Sequence, residues 1–134
     1  MPKLSDQQIA NILFNETRSL NGLGILAARI NLAHAILNAE ASPHGLPQMA
    51  SPVAKVPPAE RATYDACLIA VQQARADAAS KLDPTAGAQH FNFRKNAWPG
   101  DFQGHKLKTS IGPLSNSYPT EDLPASGIYA NTYE

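Results

Sequence analysis

Residues 83–93 read DPTAGAQHFNF, and within these eleven positions the chain stops being helical and starts to alternate. Asp83 precedes a proline, which pushes its backbone out of helical space, and Asp83 or Thr85 can close a local turn with its side chain. From Ala88 to Phe93 the pattern has period two. Gln89, Phe91 and Phe93 fall on one side and His90 and Asn92 on the other, as in a short strand with a packing face and a polar face. A helical part is therefore expected before Asp83 and a β element after it.

Upstream, the first helix is well announced. Ser5 is a capping residue, Gln8 completes a capping box, and Leu4 can staple onto Ile9, giving a helix over about 5 to 20. Asn21, Gly22 and Gly24 break it, and Leu26, Ile30, Ala33 and Leu37 mark the inner stripe of a second helix over about 23 to 39. The stretch from Ser42 to Pro58 is rich in proline and reads as an irregular loop and a candidate groove wall. Pro58 suits the first turn of a third helix, whose inner face is Tyr64, Cys67, Leu68, Val71, Ala74 and Ala78, through about Ser80. Downstream, residues 94 to 134 are crowded with Pro, Gly, Ser, Asn and Thr, and are expected to form loops with at most one hairpin.

The chain has 134 residues, enough for one domain with one core. Eleven basic and eleven acidic residues balance to zero formal charge, and no basic cluster tracks a phosphate backbone, so nucleic acid is not expected as a partner. No apolar run approaches the length of a bilayer span, and the opening Met-Pro-Lys-Leu-Ser-Asp lacks the apolar region of a signal peptide. One cysteine, Cys67, leaves no intramolecular disulfide. Internal repeats and low-complexity tracts are absent.

Glu16 is the misfit of the first helix. Ile9, Ile12, Leu13, Glu16 and Leu20 recur at the spacing of one face, which places a carboxyl among apolar side chains and toward the core. Such surroundings penalise the charged form and raise the pKa, which is the property of a general acid. The alternative is that Glu16 swings out to water or pairs with Arg18 or Arg29.

Three blocks in this order, NILFNETRSL (11–20), ILAARINLAHAILNA (25–39) and DPTAGAQHFNF (83–93), resemble the SleB-like cell-wall hydrolases, the spore-cortex-lytic family. The matches are Glu16 with Arg18, Ala33 to Asn38, and Asp83, Pro84, Thr85, Gly87, Ala88 and Phe91, over roughly residues 8 to 94. Ala39 departs from the family's arginine, Ala86 from the first glycine of its Gly-Gly pair, and His90 from a frequent tyrosine. At Ala86 a left-handed backbone would cost an alanine energy that glycine does not lose. The resemblance implies a mainly α (α+β), lysozyme-like helical domain with a small β element after the third helix. It also implies cleavage of the β-1,4 bond between N-acetylmuramic acid and N-acetylglucosamine in peptidoglycan, with Glu16 as the catalytic acid.

Glycoside cleavage usually employs a second carboxylate. Asp83 reads as a turn residue, and Glu40, Asp65, Asp101, Glu121 and Asp122 have no local pattern that singles them out. A lone acid points to a lytic transglycosylase, in which Glu16 protonates the glycosidic oxygen and then takes the proton of the muramic C6 hydroxyl as a 1,6-anhydro ring closes; a muramidase acting by simple hydrolysis is the alternative outcome. Gln89, His90 and Asn92 are candidates to hold acetamido groups or developing charge, and Trp98 to stack on a sugar face. No cofactor is expected. His34, His44, His90 and His105 lack metal-ligand spacing. Cys67 lies among apolar neighbours in mid-helix, as a buried small hydrophobe and not the nucleophile of a peptide-crosslink hydrolase. A non-catalytic glycan-binding or interaction module would keep the groove without needing a protonated Glu16. The expected place of action is the periplasm or cell wall, reached by phage lysis, specialised secretion or a trimmed leader, with an inhibitor or immunity protein as a partner if the chain is a secreted effector.

Overall fold

The computed structural model describes residues 3–43, 55–96 and 100–134. Helix α1 spans Asp6–Thr17, a two-residue strand β1 follows at Leu20–Asn21, and helix α2 runs Ile25–Ala41. A 3₁₀ turn at Pro58–Glu60 leads into helix α3, Arg61–Ala79. Strands β2 (His90–Lys95), β3 (Leu107–Asn116) and β4 (Ile128–Tyr133) complete an antiparallel sheet in the order β1-β3-β4-β2. The protein is thus mixed α+β.

The start of α1 is fixed locally. The Ser5 hydroxyl accepts from the Gln8 backbone N–H at 3.2 Å and the Gln8 side chain accepts from the Ser5 N–H at 2.8 Å, so two otherwise orphaned donors are satisfied. The helix closes at Thr17, earlier than expected, and Leu20 is buried as part of β1 instead. The inner position on its last turn belongs to Thr17, whose hydroxyl donates to Leu13 O at 2.7 Å and accepts from buried Arg29 at 3.0 Å. Glu16 is accordingly displaced from the core and exposed, which corrects the expectation that it points inward.

Helix α2 is the central element. It packs against α1 and α3 on one side and against β2, β3 and β4 on the other. A helix enclosed in this way has no single inner stripe. Ala28, Leu32, Ala35, Ile36 and Ala39 are buried together with Arg29, Asn31 and His34, while Leu26, expected inside, is 50 % exposed. On α3, Tyr64, Cys67, Val71 and Ala74 are buried as expected; Ala70 joins them, Leu68 is half-buried and Ala78 is exposed.

The sheet is larger than the small β element expected after the third helix. Residues 94–134 contain two strands that pair along most of their length, and Leu114, Ile128 and Ala130 enter the same core as the helices. Gly112 and Pro113 fall where the β3–β4 register shifts, so the proline's missing N–H interrupts no regular ladder position. A Cβ on Gly112 would stand 2.6 Å from Ile128 O, which explains a glycine at this close approach. The proposed groove wall at 42–58 lies largely outside the described residues.

The placement of α2 predicts an asymmetry between two leucines. Leu32→Ala is expected to lower the unfolding free energy by about 2–5 kcal/mol, whereas Leu26→Ala should change it by no more than about 0.5 kcal/mol, both read from denaturant midpoints. Equal losses would contradict the central position of the helix.

Candidate active site

The turn that ends the helical part is built around one carboxylate. Asp83 Oδ1 accepts from Thr85 N at 2.8 Å and Thr85 Oγ1 at 2.6 Å, and Oδ2 accepts from Gly87 N at 2.9 Å and from Asn38 Nδ2 at 2.8 Å. Asn38 also donates to Ala88 O at 3.0 Å, so α2 grips both ends of the turn. Burial alone would raise the Asp83 pKa, but the hydrogen bonds from Thr85, Asn38 and the backbone outweigh it and hold the carboxyl below its ordinary value. Ala86 adopts φ 51°, the left-handed conformation for which glycine is favoured. His34, 1 % exposed, lies between Asp77 (3.2 Å) and Asp83 (3.7 Å).

Strand β2 leaves this turn along the wall of a cavity of about 500 Å³. Glu16 of α1, Ile36 and Ala39 of α2, Gln89 to Phe93, Phe102, Asp122 and Leu123 line it. Glu16, Gln89, His90 and Asn92 are thereby brought together from two distant parts of the sequence. Trp98 lies outside the described residues; the aromatic rings on the wall are Phe91, Phe93 and Phe102, the last packed 5.3 Å from the Tyr133 ring. The expected division of β2 into a packing face and an open polar face is blurred: His90 to Arg94 are all half-buried, because β2 is an edge strand running along the cavity. Ala39 and His90, two of the three departures from the family pattern, both face this space.

Glu16 keeps an open edge to water, yet the surrounding wall removes enough solvent from its carboxyl to raise the pKa. Neither basic neighbour engages it. Arg18 Nε donates to Glu60 at 2.8 Å, with its guanidinium 4.7 Å from the Phe14 ring, and Arg29 is held by Thr17. Among the described residues no hydrogen bond or ion pair reaches the Glu16 carboxyl. His90 stacks on His105 with ring centroids 4.1 Å apart. Burial, and secondarily the charge of His105, lowers the His90 pKa, which favours the neutral imidazole on the wall. Asn92 is oriented from behind: its Oδ1 accepts from Tyr133 Oη at 3.0 Å and from Asn131 Nδ2 at 3.2 Å, both residues fully buried. Its carbonyl oxygen is thereby satisfied within the sheet, while among the described residues its amide N–H groups make no hydrogen bond. Cys67 is remote from the cavity lining, fully buried, and its thiol pKa is raised by that burial.

Sequence reasoning passed over Phe102, Asp122 and Leu123. They reach the cavity through the loops flanking β3, and no local pattern marks them. Comparison of the chain with protein-family models, with curated proteins and with solved structures finds no match.

Asp83 generates a pH prediction. A carboxyl whose folded pKa lies below its unfolded value stabilises the fold at neutral pH, and that contribution is lost as pH falls from about 4 through the folded value. Asp83→Asn should be less stable than the parent at neutral pH, with the gap closing in acid, as followed by urea midpoints across pH. A gap independent of pH would contradict this role.

Proposed function

We propose that the protein cleaves the glycan strand of peptidoglycan at the β-1,4 bond between N-acetylmuramic acid and N-acetylglucosamine, with Glu16 as general acid and a lysozyme-like division of helices and sheet around the cleft. The observation that carries the reading is a carboxyl without a structural partner, its charged form disfavoured by burial, in a cavity that also holds an oriented amide and aromatic rings. These are the parts that glycoside cleavage requires. A protonated carboxyl delivers a proton to the departing oxygen as the C1–O4 bond breaks, and polar wall groups position the sugar. The amide of Asn92 offers N–H donors to an acetamido carbonyl oxygen, Gln89 and neutral His90 supply further hydrogen bonds, and Phe102 offers an apolar face to a ring.

Cleavage leaves positive charge at C1 of the muramic sugar. It is quenched either by that sugar's own C6 hydroxyl, giving the 1,6-anhydro end of a lytic transglycosylase, or by water, giving a reducing end. Both fates require Glu16 first. The resemblance to SleB-like hydrolases agrees with this assignment, since its first block carries Glu16 and its second and third meet at the Asn38–Asp83 hydrogen bond.

Glu16→Gln should reduce release of muropeptides from sacculi on the order of 10²- to 10⁴-fold while leaving sugar binding in place. A raised folded pKa means that deprotonation of Glu16 destabilises the fold as pH rises through that value, so the amide variant should lose this slope and be at least as stable at neutral pH. Near-parental lysis by Glu16→Gln would remove Glu16 as the acid; sugar binding without any lysis by the parent would favour a glycan-binding module, and release of peptide fragments from intact glycan would place the cleavage elsewhere.

A further inference from the structure

We infer that Asp122 is the second carboxylate of this site, acting as the base on the water that captures C1, so that the protein is a hydrolase that leaves reducing muramic ends. The inference rests on the reading of the cavity as a glycan-cleaving site with Glu16 as acid. Asp122 and Glu16 line the same cavity, one from the β3–β4 connection and the other from α1.

The connection is held in place. Asn116 N–H donates to Ala125 O at 2.8 Å and its side chain to Leu123 O at 3.2 Å; Thr120 and Leu123 exchange two further hydrogen bonds, at 2.8 and 3.0 Å. Ser117 N–H donates to Ser19 O at 2.8 Å, which fastens the base of the loop to the segment just beyond Glu16. Leu123 packs on the core and forms part of the cavity wall beside Asp122. Backbone bonds on both sides therefore carry the Asp122 side chain to the rim.

The carboxylates of this chain are otherwise committed. Apart from Glu121, every other aspartate and glutamate accepts a hydrogen bond or forms a salt bridge within the fold. Glu16 and Asp122 have no such partner among the described residues, and both stand in the cavity. Their surroundings also differ. Both side chains reach solvent at the edge of the cavity, but the wall beside Glu16 raises its pKa by removing solvent, as suits the acid of such a pair.

In the step so assigned, Glu16 gives its proton to O4 of the leaving N-acetylglucosamine as the C1–O4 bond breaks. The oxygen of a water bonds to C1, and one of that water's protons passes to Asp122. Solvent then returns a proton to Glu16 and takes one from Asp122, so both groups regain their starting states and one water is consumed per bond cleaved.

The test is product analysis by mass spectrometry on sacculi, with the parent chain, Asp122→Asn and Asp122→Ala. The parent should release muropeptides with reducing muramic ends. Asp122→Asn should lower that release on the order of 10²- to 10⁴-fold, and the residual product should shift to anhydro-muramic ends, because Glu16 can still protonate O4 and the C6 hydroxyl can still capture C1. Both variants should melt with the parent, since among the described residues Asp122 holds no hydrogen bond or ion pair, and added formate should restore reducing-end release to Asp122→Ala. Anhydro ends from the parent, or parental rate and products from Asp122→Asn, would overturn the role of Asp122 while leaving Glu16 as the acid. Undiminished lysis by Glu16→Gln would take both assignments down.

Discussion

The Asp83 carboxylate is the joint on which the architecture turns. Four donors, two from Thr85 and one each from Gly87 and Asn38, fix the change of direction from α3 into β2. Because Asn38 belongs to the central helix, the joint also sets the distance between that helix and the first residues of the strand. A left-handed Ala86 is accepted within this turn at a cost that the surrounding hydrogen bonds offset. Were the joint to loosen, β2 would lose its register against β4, and Gln89, His90 and Asn92 would no longer share a wall with Glu16.

The cavity is an outcome of how the layers meet. Helix α2 contributes only small or compact groups to it, Ile36 and Ala39, so space remains between the end of α1 and the edge strand. An arginine at position 39, as in the family the chain resembles, would project a long charged side chain into that space; alanine leaves it open. The polar functions then arrive on rigid supports. Glu16 is on the last turn of a capped helix, and Asn92 is braced by two buried side chains of β4. Fixed groups that need no rearrangement when charge develops are what electrostatic catalysis exploits.

What was legible in the sequence was local. The capping box at Ser5, the side-chain turn at Asp83 and the burial of Cys67 depend on neighbours within a few residues, and each stands in the structure as the residues predict, while α3 begins at Arg61, after a 3₁₀ turn that Pro58 opens. The inner face of α2 was legible in part: Ala33 lies in the core and Ile30 and Leu37 pack against it, but periodicity assumes one buried side and this helix has layers on two, so Leu26 was misplaced and the buried Arg29, Asn31 and His34 were missed. Strands β3 and β4 were not legible. Their Ser, Thr, Asn, Gly and Pro content resembles loop composition, and their stability comes from pairing and packing that only the tertiary fold supplies. Asp122 was hidden for a similar reason: its link to Glu16 runs through a hydrogen bond between Ser117 and Ser19, which no sequence window contains.

The proposed chemistry depends on Glu16 being a partly desolvated carboxyl in a cavity that takes glycan. A carbon-detected NMR titration of the glutamate carboxyls, alone and with a soluble muropeptide, addresses that claim most directly. Glu16 should titrate above the ordinary glutamate range, and the muropeptide should shift the signals of Glu16 and the Asn92 amide together. A Glu16 that titrates as an ordinary exposed glutamate, with muropeptide shifts confined to another face of the protein, would contradict it.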